Sequence, residues 1–428
     1  MKKRKVLVFP AGSEIAHEIF NALKYSKFVE LYGGTSVDDH STHIFKKVIN
    51  DFPYCEDDDF IEYLNHVVEE YGIDCIYPAH DSVCVVLSNN IDRINTQVIV
   101  SDAYTTNTCR SKTALYNLLE GHEVTPFVYE YDDEITEFPV FIKPDCGQGG
   151  NGASIVKTRE ELEVRKRQDN KLVVCEYLPG NEYTIDCFTD LDKKLRIIKQ
   201  RTRERIKAGI AVKSRSATIN DSVEKIANIL NDKLTFKGAW FFQVKQDVNG
   251  NLKLLEASPR IPGTMGLYRN KGINFPLLTL FLFWGYDVDI IENMYSIEVD
   301  RAFYSAYRED VDYKHVYLDF DDTIVIDDRV NELIMQFIYQ SINDGKIIHL
   351  LSKHTTDIYK DLKKYRISED VFSDIKVIKQ NDDKANYIVE KDSIFIDDSF
   401  AERKLVHDKL GIPVFDLDMI EGLIDWRK

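Results

Sequence analysis

The sequence predicts a multidomain protein, α/β at both ends and α+β in the middle. Three observations carry that expectation. The chain has 428 residues, more than one ordinary core holds, so two or three domains are expected. Near both ends, short apolar runs alternate with segments of helical periodicity, the pattern of a parallel sheet with crossover helices. Between them, longer strands are separated by hairpin turns, the pattern of antiparallel sheets.

The first zone spans residues 1–110. Lys5–Phe9 reads as a buried strand, and Pro10 to Ser13 as a turn into the helix Glu14–Tyr25. Val29–Tyr32, Cys75–Tyr77 and Gln97–Val100 read as further strands, with a helix at Phe60–Tyr71. Only Val6–Phe9 follow the basic start as an apolar run, so a strand is expected there and not a signal peptide. In the second zone, 111–310, strands are expected at Val140–Lys143, Ala153–Val156, Leu172–Tyr177, Tyr183–Phe188, Leu195–Arg201, Ala239–Val244 and Leu252–Ala257. Ser222–Leu230 reads as a helix, and Phe275–Trp284 as a core helix too short to span a bilayer. The third zone, 314–428, comes after the polar stretch Tyr304–Lys314. It carries strands at Val316–Phe320, Ile347–Leu351 and Ser393–Ile396, and helices at Arg329–Asn343 and Thr356–Lys363.

Composition narrows the partners. With 44% hydrophobic and 30% charged residues and no low-complexity tract, the chain reads as a soluble globular protein. Its net charge of -17 argues against a nucleic-acid backbone as partner, which needs a basic face. The seven cysteines are odd in number and form no C-x-x-C pair, so a reducing cytoplasm is expected in place of a disulfide framework or zinc site. No membrane partner is expected, and a homodimer is a candidate assembly.

In the third zone, the strand at 316–318 runs into Asp319-Phe320-Asp321-Asp322-Thr323. Groups at strand C-terminal ends line the crevice of a parallel sheet. Asp319 and Asp321 sit two apart at a fraying end, so both carboxylates can approach one point, which favours a cation such as magnesium. A second strand ends in Asp397-Asp398, a third in Ser352, and Lys384 lies between those two. Any one acidic pair reads equally as a turn or helix cap; four signals in order are more specific.

Together they resemble the haloacid dehalogenase superfamily over residues 314 to 428. The resemblance implies a Rossmannoid α/β phosphatase in which Asp319 attacks phosphorus and Asp321 protonates the leaving oxygen. It implies that Thr323, Ser352 and Lys384 bind phosphate, and that Asp319, Asp321, Asp397 and Asp398 hold Mg2+. About 28 residues separate Thr323 from Ser352 and about 31 separate Ser352 from Lys384, leaving no room for a cap domain.

In the second zone, Lys143 ends an apolar strand that leads through Pro144 into Gly147-Gln148-Gly149-Gly150-Asn151-Gly152-Ala153-Ser154. Four glycines there give a hairpin whose N–H groups can close over phosphates. A glycine-rich surface hairpin is the other reading. Further on, Asn249-Gly250 predicts a two-residue hairpin that sets Gln243 opposite Glu256, with Ser258 and Arg260 on the same face by period two. Such a face suits a metal–triphosphate.

With Cys175 to Glu182 between them, these sets resemble the ATP-grasp superfamily, particularly its carbamoyl-phosphate-synthetase-like and carboxylate–amine ligase branches, over residues 1 to 300. The resemblance implies a pre-ATP-grasp α/β domain (1–110) leading into an ATP-grasp domain (111–310). It implies that Lys112, Lys143, Gly149, Gly150, Gly152 and Ser154 contact the phosphates of ATP. Glu176, Tyr177 and Leu178 would present backbone to adenine, and Glu182 would hold the ribose. Gln243 and Glu256 would ligate Mg2+, with Mn2+ as a substitute, and Arg260 would act near the transferred phosphoryl. Ser258 stands where the family usually has Asn as a metal ligand, and its hydroxyl is expected to coordinate directly or through water.

Two further sets have two readings each. Arg201, Arg203 and Arg205 alternate along an expected strand and either grip a substrate carboxylate or acyl-phosphate, or form an exposed charged face. His80 and Asp81 come after a strand end and either touch substrate or cap a helix. The expected function is bifunctional: an ATP-dependent carboxylate–amine ligase working through an acyl-phosphate, and a phosphatase acting on a related small phosphoester. The alternatives are a phosphoryl or carbamoyl transferase, and an ATP-binding regulatory sensor in which only the phosphatase is active.

Overall fold

The computed structural model describes residues 2–130, 135–147, 149–168, 171–207, 209–307 and 310–427. Gln148 of the glycine run lies outside them. The chain divides into two compact units, Met1–Phe303 and Tyr304–Lys428.

The first unit begins with β1 (Arg4–Phe9), α1 (Glu14–Leu23), β2 (Val29–Gly34), β3 (Val48–Ile49), α2 (Phe60–Tyr71), β4 (Cys75–Pro78), α3 (Asp81–Asn89) and β5 (Gln97–Val98). The five strands are parallel in the order β3-β2-β1-β4-β5. Along β1 the side chains alternate between two cores, because a sheet covered on both faces buries both sets. Leu7 and Phe9 face α2, while Val6 and Val8 join a cluster that also takes Phe188, Ile197, Ala239 and Leu280 from further along the chain. Residues 1–110 therefore keep their own sheet but share one core with the rest of the first unit.

α4 (Ala103–Arg110) and α5 (Lys112–Leu118) lead to β6 (Val128–Tyr129), β7 (Val140–Pro144), β8 (Ser154–Val156), α6 (Arg159–Gln168) and β9 (Leu172–Glu176). These strands form an antiparallel sheet in the order β6-β9-β7-β8. A larger antiparallel sheet is built from β10 (Glu182–Thr189), β11 (Leu195–Thr202), β12 (Arg205–Lys207), β13 (Ile210–Ala217), β14 (Gly238–Gln246) and β15 (Leu252–Ser258), with α7 (Asp221–Lys233) between β13 and β14. Its order is β12-β13-β11-β10-β14-β15. After α8 (Gly266–Arg269) and the apolar α9 (Phe275–Phe283), β16 (Glu298–Asp300) returns to pair with β13.

Two expectations about this sheet are corrected. Arg201, Arg203 and Arg205 do not share a strand face, because β11 ends at Thr202 and β12 begins at Arg205. Arg201 is instead fully buried, donating through Nε and Nη2 to Asp186 at 2.8 and 3.2 Å and through Nη1 to Thr264 at 2.6 Å. The hairpin between β14 and β15 is also longer than two residues. Asp247 Oδ1 accepts from the backbone of Asn249 and Asn251, each at 2.8 Å, and so folds a five-residue connection, 247–251, around its own carboxylate. A bulge at Leu255 then restores the register, pairing Val244 with Leu254 but Gln243 with Glu256. The expected pair is present, though by compensation and not by a tight turn.

The second unit contains β17 (His315–Leu318), β18 (Val325–Ile326), β19 (Arg329–Val330), α10 (Glu332–Asn343), β20 (Ile347–Ser352), α11 (Ile358–Lys364), β21 (Asp374–Val377), β22 (Ser393–Ile396), α12 (Phe400–Leu410), β23 (Val414–Phe415) and α13 (Ile420–Leu423). Its sheet is parallel, in the order β21-β20-β17-β22-β23. The helix expected from Arg329 starts at Glu332, because Asn331 caps it and Arg329–Val330 pair back onto Val325–Ile326.

Arg201→Ala would strand the buried Asp186 charge and is expected to cost the first unit about 3–5 kcal/mol. Urea denaturation checks this: the midpoint of that unit's transition should fall, and an unchanged midpoint would show that the pair does not hold the sheet.

Candidate functional site

Two lysines define the cavity of the first unit. Lys143 comes after the apolar residues of β7 and is buried; its Nζ donates to Leu255 O at 3.1 Å and to the Tyr116 hydroxyl. Leu255 is the bulged residue, and its carbonyl also accepts from Tyr116 at 2.8 Å. Lys112, at the start of α5, is equally buried and donates to Gly147 O at 2.9 Å. Among the described residues neither lysine has a carboxylate in ion-pair range. Burial pushes the Lys143 pKa down. Two desolvated cations paired only with neutral oxygens are costly, unless an anion occupies the space between them.

The glycine run arches over this space. Gly149, Gly150 and Gly152 all have positive φ, between 61° and 76°, the region that favours glycine. The loop rests on Gly209, where an added Cβ would lie 1.9 Å from Gly149 O. Arg203 Nη2 holds that second loop by donating to Gly209 O at 3.1 Å, while its Nε lies 2.6 Å from Glu182. Glu182, expected at the ribose, is thus already paired with a cation. The cavity under the loop has a volume of about 220 Å3. It continues on one side into an apolar slot lined by Phe141, Ile155, Tyr177, Leu178 and Leu255. Glu176 stands at that slot and accepts from Phe127 N at 2.9 Å. Ser154 Oγ, at the end of the glycine run, is buried with no hydrogen-bond partner among the described residues.

On the other side the cavity opens past Glu256 to Arg110, Ser258, Arg260 and Asp81. Gln243 Nε2 donates to Glu256 Oε1 at 2.8 Å, leaving the Gln243 carbonyl and the second Glu256 oxygen as cation donors. Asp81 accepts a fork from Arg260, Nε to Oδ1 at 2.9 Å and Nη2 to Oδ2 at 2.5 Å, plus the Ser258 hydroxyl at 2.8 Å. Ser258, expected among the metal ligands, therefore spends its proton on Asp81. Burial alone would raise the Asp81 pKa, but Arg260 outweighs it and holds it at about 2. His80, not Asp81, caps α3: its Nδ1 accepts from Ser82 N at 3.2 Å. Arg110, Tyr116 and Gly209 went unread in the sequence. α4 and α5 carry no apolar stripe that sets them apart, and Gly209 matters only through a contact some 60 residues back.

In the second unit, Asp319, Asp397 and Asp398 each bring a carboxylate oxygen within 4.8 Å of the others at the C-terminal ends of β17 and β22. Lys384 Nζ bridges Asp319 at 2.7 Å and Asp397 at 2.6 Å. Burial first, then Asp319, raises the Asp397 pKa to about 6, and the same causes raise Asp398. Crowded carboxylates of this kind fit a hard divalent cation. Ser352 Oγ is buried and has no hydrogen-bond partner among the described residues, as a group awaiting an anion would be. Two placements differ from expectation. Thr323 is fully buried and its Oγ1 accepts from Asp398 N at 3.2 Å, so it positions that loop. Asp321 stands outside the trio, about half exposed, its Oδ2 2.9 Å from His354 Nδ1. His354 also reaches Asp361 at 2.8 Å; these carboxylates overcome burial and raise its pKa. The only sequence signal for His354 was its place two residues beyond Ser352.

Residues 168–302 match a family model described as ATP-grasp in the biosynthetic pathway with Ter operon. No curated protein matches the chain in sequence. Solved structures do resemble it. The biotin carboxylase domain of Hydrogenobacter thermophilus 2-oxoglutarate carboxylase, crystallised with MgADP, ADP and bicarbonate, has a TM-score of 0.55 at 14% identity, covering 67% of this chain and 71% of that one. N5-carboxyaminoimidazole synthetase from Staphylococcus aureus, complexed with ADP, gives 0.55 at 12% identity over 68% and 80%. L-amino acid ligase from Bacillus licheniformis gives 0.53 at 17% identity over 68% and 75%. The chain contains an ATP-grasp fold. Among the described residues no helix is long and apolar enough to cross a membrane.

The depressed Asp81 pKa has a signed consequence. Its contribution to stability is fully present above the ordinary value of 3.8 and is lost as pH falls through about 2. Asp81→Asn should therefore flatten the fall in the first unit's unfolding midpoint between those pH values. Equal slopes for variant and wild type would overturn this.

Proposed function

We propose that the first unit is an ATP-dependent carboxylate–amine ligase and the second a capless haloacid-dehalogenase-type phosphatase acting on a related small metabolite. One observation carries the ligase reading. Two buried lysines without carboxylate partners face a positive-φ glycine loop, in a cavity joined to an apolar slot on one side and to Arg260 on the other. The slot has the lining for a purine, the lysine chamber the charge for its phosphates, and the far chamber a guanidinium for an acidic substrate. The family-model match over residues 168–302 and the likeness in fold to an amino acid ligase support the same assignment.

The substrate carboxylate would attack the terminal phosphorus of ATP, ADP would leave, and an amine would then displace inorganic phosphate from the acyl-phosphate. Magnesium, held by Glu256 and Gln243, would neutralise phosphate charge. Lys112 and Lys143 fix the phosphate oxygens, the glycine loop excludes water, and Arg260, itself fixed by Asp81, steadies the acidic groups. A regulatory nucleotide sensor is a second reading, favoured by one observation: Ser258, which stands where the family usually has a metal-ligating Asn, commits its hydroxyl proton to Asp81. Carboxylate- and amine-stimulated ADP release separates the two. Lys143→Ala should lower that release at least about 100-fold. ATP binding with no stimulated turnover across carboxylate–amine pairs would overturn the ligase reading.

In the second unit the carboxylate trio would hold magnesium, which neutralises charge at the phosphoryl group. Asp319 Oδ would form the bond to phosphorus, and Asp321, its proton supply steadied by His354, would protonate the departing alkoxide. Asp321 would then take a proton from the water that cleaves the aspartyl-phosphate. Lys384 and Ser352 would hold the phosphoryl oxygens. Asp319→Asn is expected to lower phosphomonoesterase activity by more than about 1,000-fold while leaving ADP release unchanged. Phosphatase activity retained in that variant would rule Asp319 out as nucleophile.

A further inference from the structure

Away from both sites, the second unit gathers a different set of donors. His315 opens β17, and His349 lies on β20 opposite Tyr317, so the two histidines sit on one face of neighbouring strands. Glu390 comes up beside them on the turn before β22; Ser393, which pairs with His315, fixes that turn by donating to Glu390 O at 2.7 Å. The two imidazoles and the carboxylate each offer an atom within 4.8 Å of the others.

We propose that His315, His349 and Glu390 bind a zinc-class divalent cation, at the end of the sheet opposite the Asp319 cluster. His315 precedes Asp319 by four positions along β17, so the two centres lie about 13 Å apart along the strand. His315 Nδ1 and His349 Nε2 face each other at 2.9 Å. Two lone pairs at that distance need either one shared proton or a cation, and nitrogens each about 2.0–2.1 Å from one ion lie roughly 3 Å apart.

Two of the three ligands are also held from behind. His349 Nδ1 is paired with Asp374, which turns Nε2 toward His315 and raises its basicity, as carboxylates do behind zinc-bound imidazoles. The Tyr317 hydroxyl donates to Glu390 and fixes its carboxylate. The rings of His315, His349 and Tyr317 stack near-parallel, at 16° and 14° to one another. His349 is buried while His315 and Glu390 are half-buried, so an ion can enter from solvent and keep a water in its remaining position. Imidazole donors suit zinc, whereas the all-oxygen trio around Asp319 suits magnesium. One strand thus carries a soft and a hard cation site at opposite ends. The cation would clip β17, β20 and the lead-in to β22, and none of this depends on the ligase or phosphatase assignments.

Zinc titration of the chelator-stripped full chain, with millimolar magnesium present to fill the oxygen sites, tests the proposal. Calorimetry should find a zinc site that persists in Asp319→Asn, weakens at least about 100-fold in the shape-conserving Glu390→Gln and in His315→Ala, and weakens about 10–100-fold in Asp374→Asn. Zinc bound with the same affinity and stoichiometry by wild type and Glu390→Gln, or no zinc bound by wild type at micromolar concentration, would overturn it.

Discussion

The first unit depends on a largely buried ion pair that spans most of its sequence. Asp81 begins α3, beside the opening parallel sheet, and Arg260 lies just past β15 of the large antiparallel one, 179 residues later. Their fork fixes the floor between the lysine chamber and the outer chamber. Everything placed around it inherits that geometry: Ser258 is drawn toward Asp81, Glu256 is left facing the lysines, and Arg110 completes the positive wall. Such a pair costs much to desolvate and returns it only when geometry is good. Its value here is in register, since it locks the strand carrying Glu256 to an element from another sheet.

The second unit solves a related problem with less sequence. Parallel strands covered on both faces end together, so the residues just beyond their tips are delivered to one crevice. Lys384 binds across Asp319 and Asp397, holding like charges close enough to share a cation. Thr323 contributes by fixing the backbone that carries Asp398.

Much of this was legible in the chain. Apolar runs ending in acids mark buried parallel strands with polar tips, and periodicity placed β1, α2, β14, β15 and β22 to within a residue or two. The Gln243–Glu256 pairing was also readable, although the turn argument behind it misses both the five-residue loop and the bulge, two errors of register that cancel. What could not be read were the long-range partners. Alternating arginines look the same in one strand or across a turn, and only the fold shows Arg201 sealed onto Asp186 while Arg205 meets Asp300 in solvent. His354 and Arg110 likewise acquire meaning only from groups that topology brings beside them.

The bulge at Leu255 carries an evolutionary consequence. Because it absorbs a one-residue offset between the distal loop and the pocket, the hairpin end at 247–251 is mechanically insulated from Glu256. Its carbonyl, freed from the ladder, is tied instead to Tyr116 and Lys143. Insertions or deletions at that tip would therefore be filtered before they reach the cavity, so lineages of this chain should show hairpins of unequal length above an unchanging Gln243–Glu256 pair.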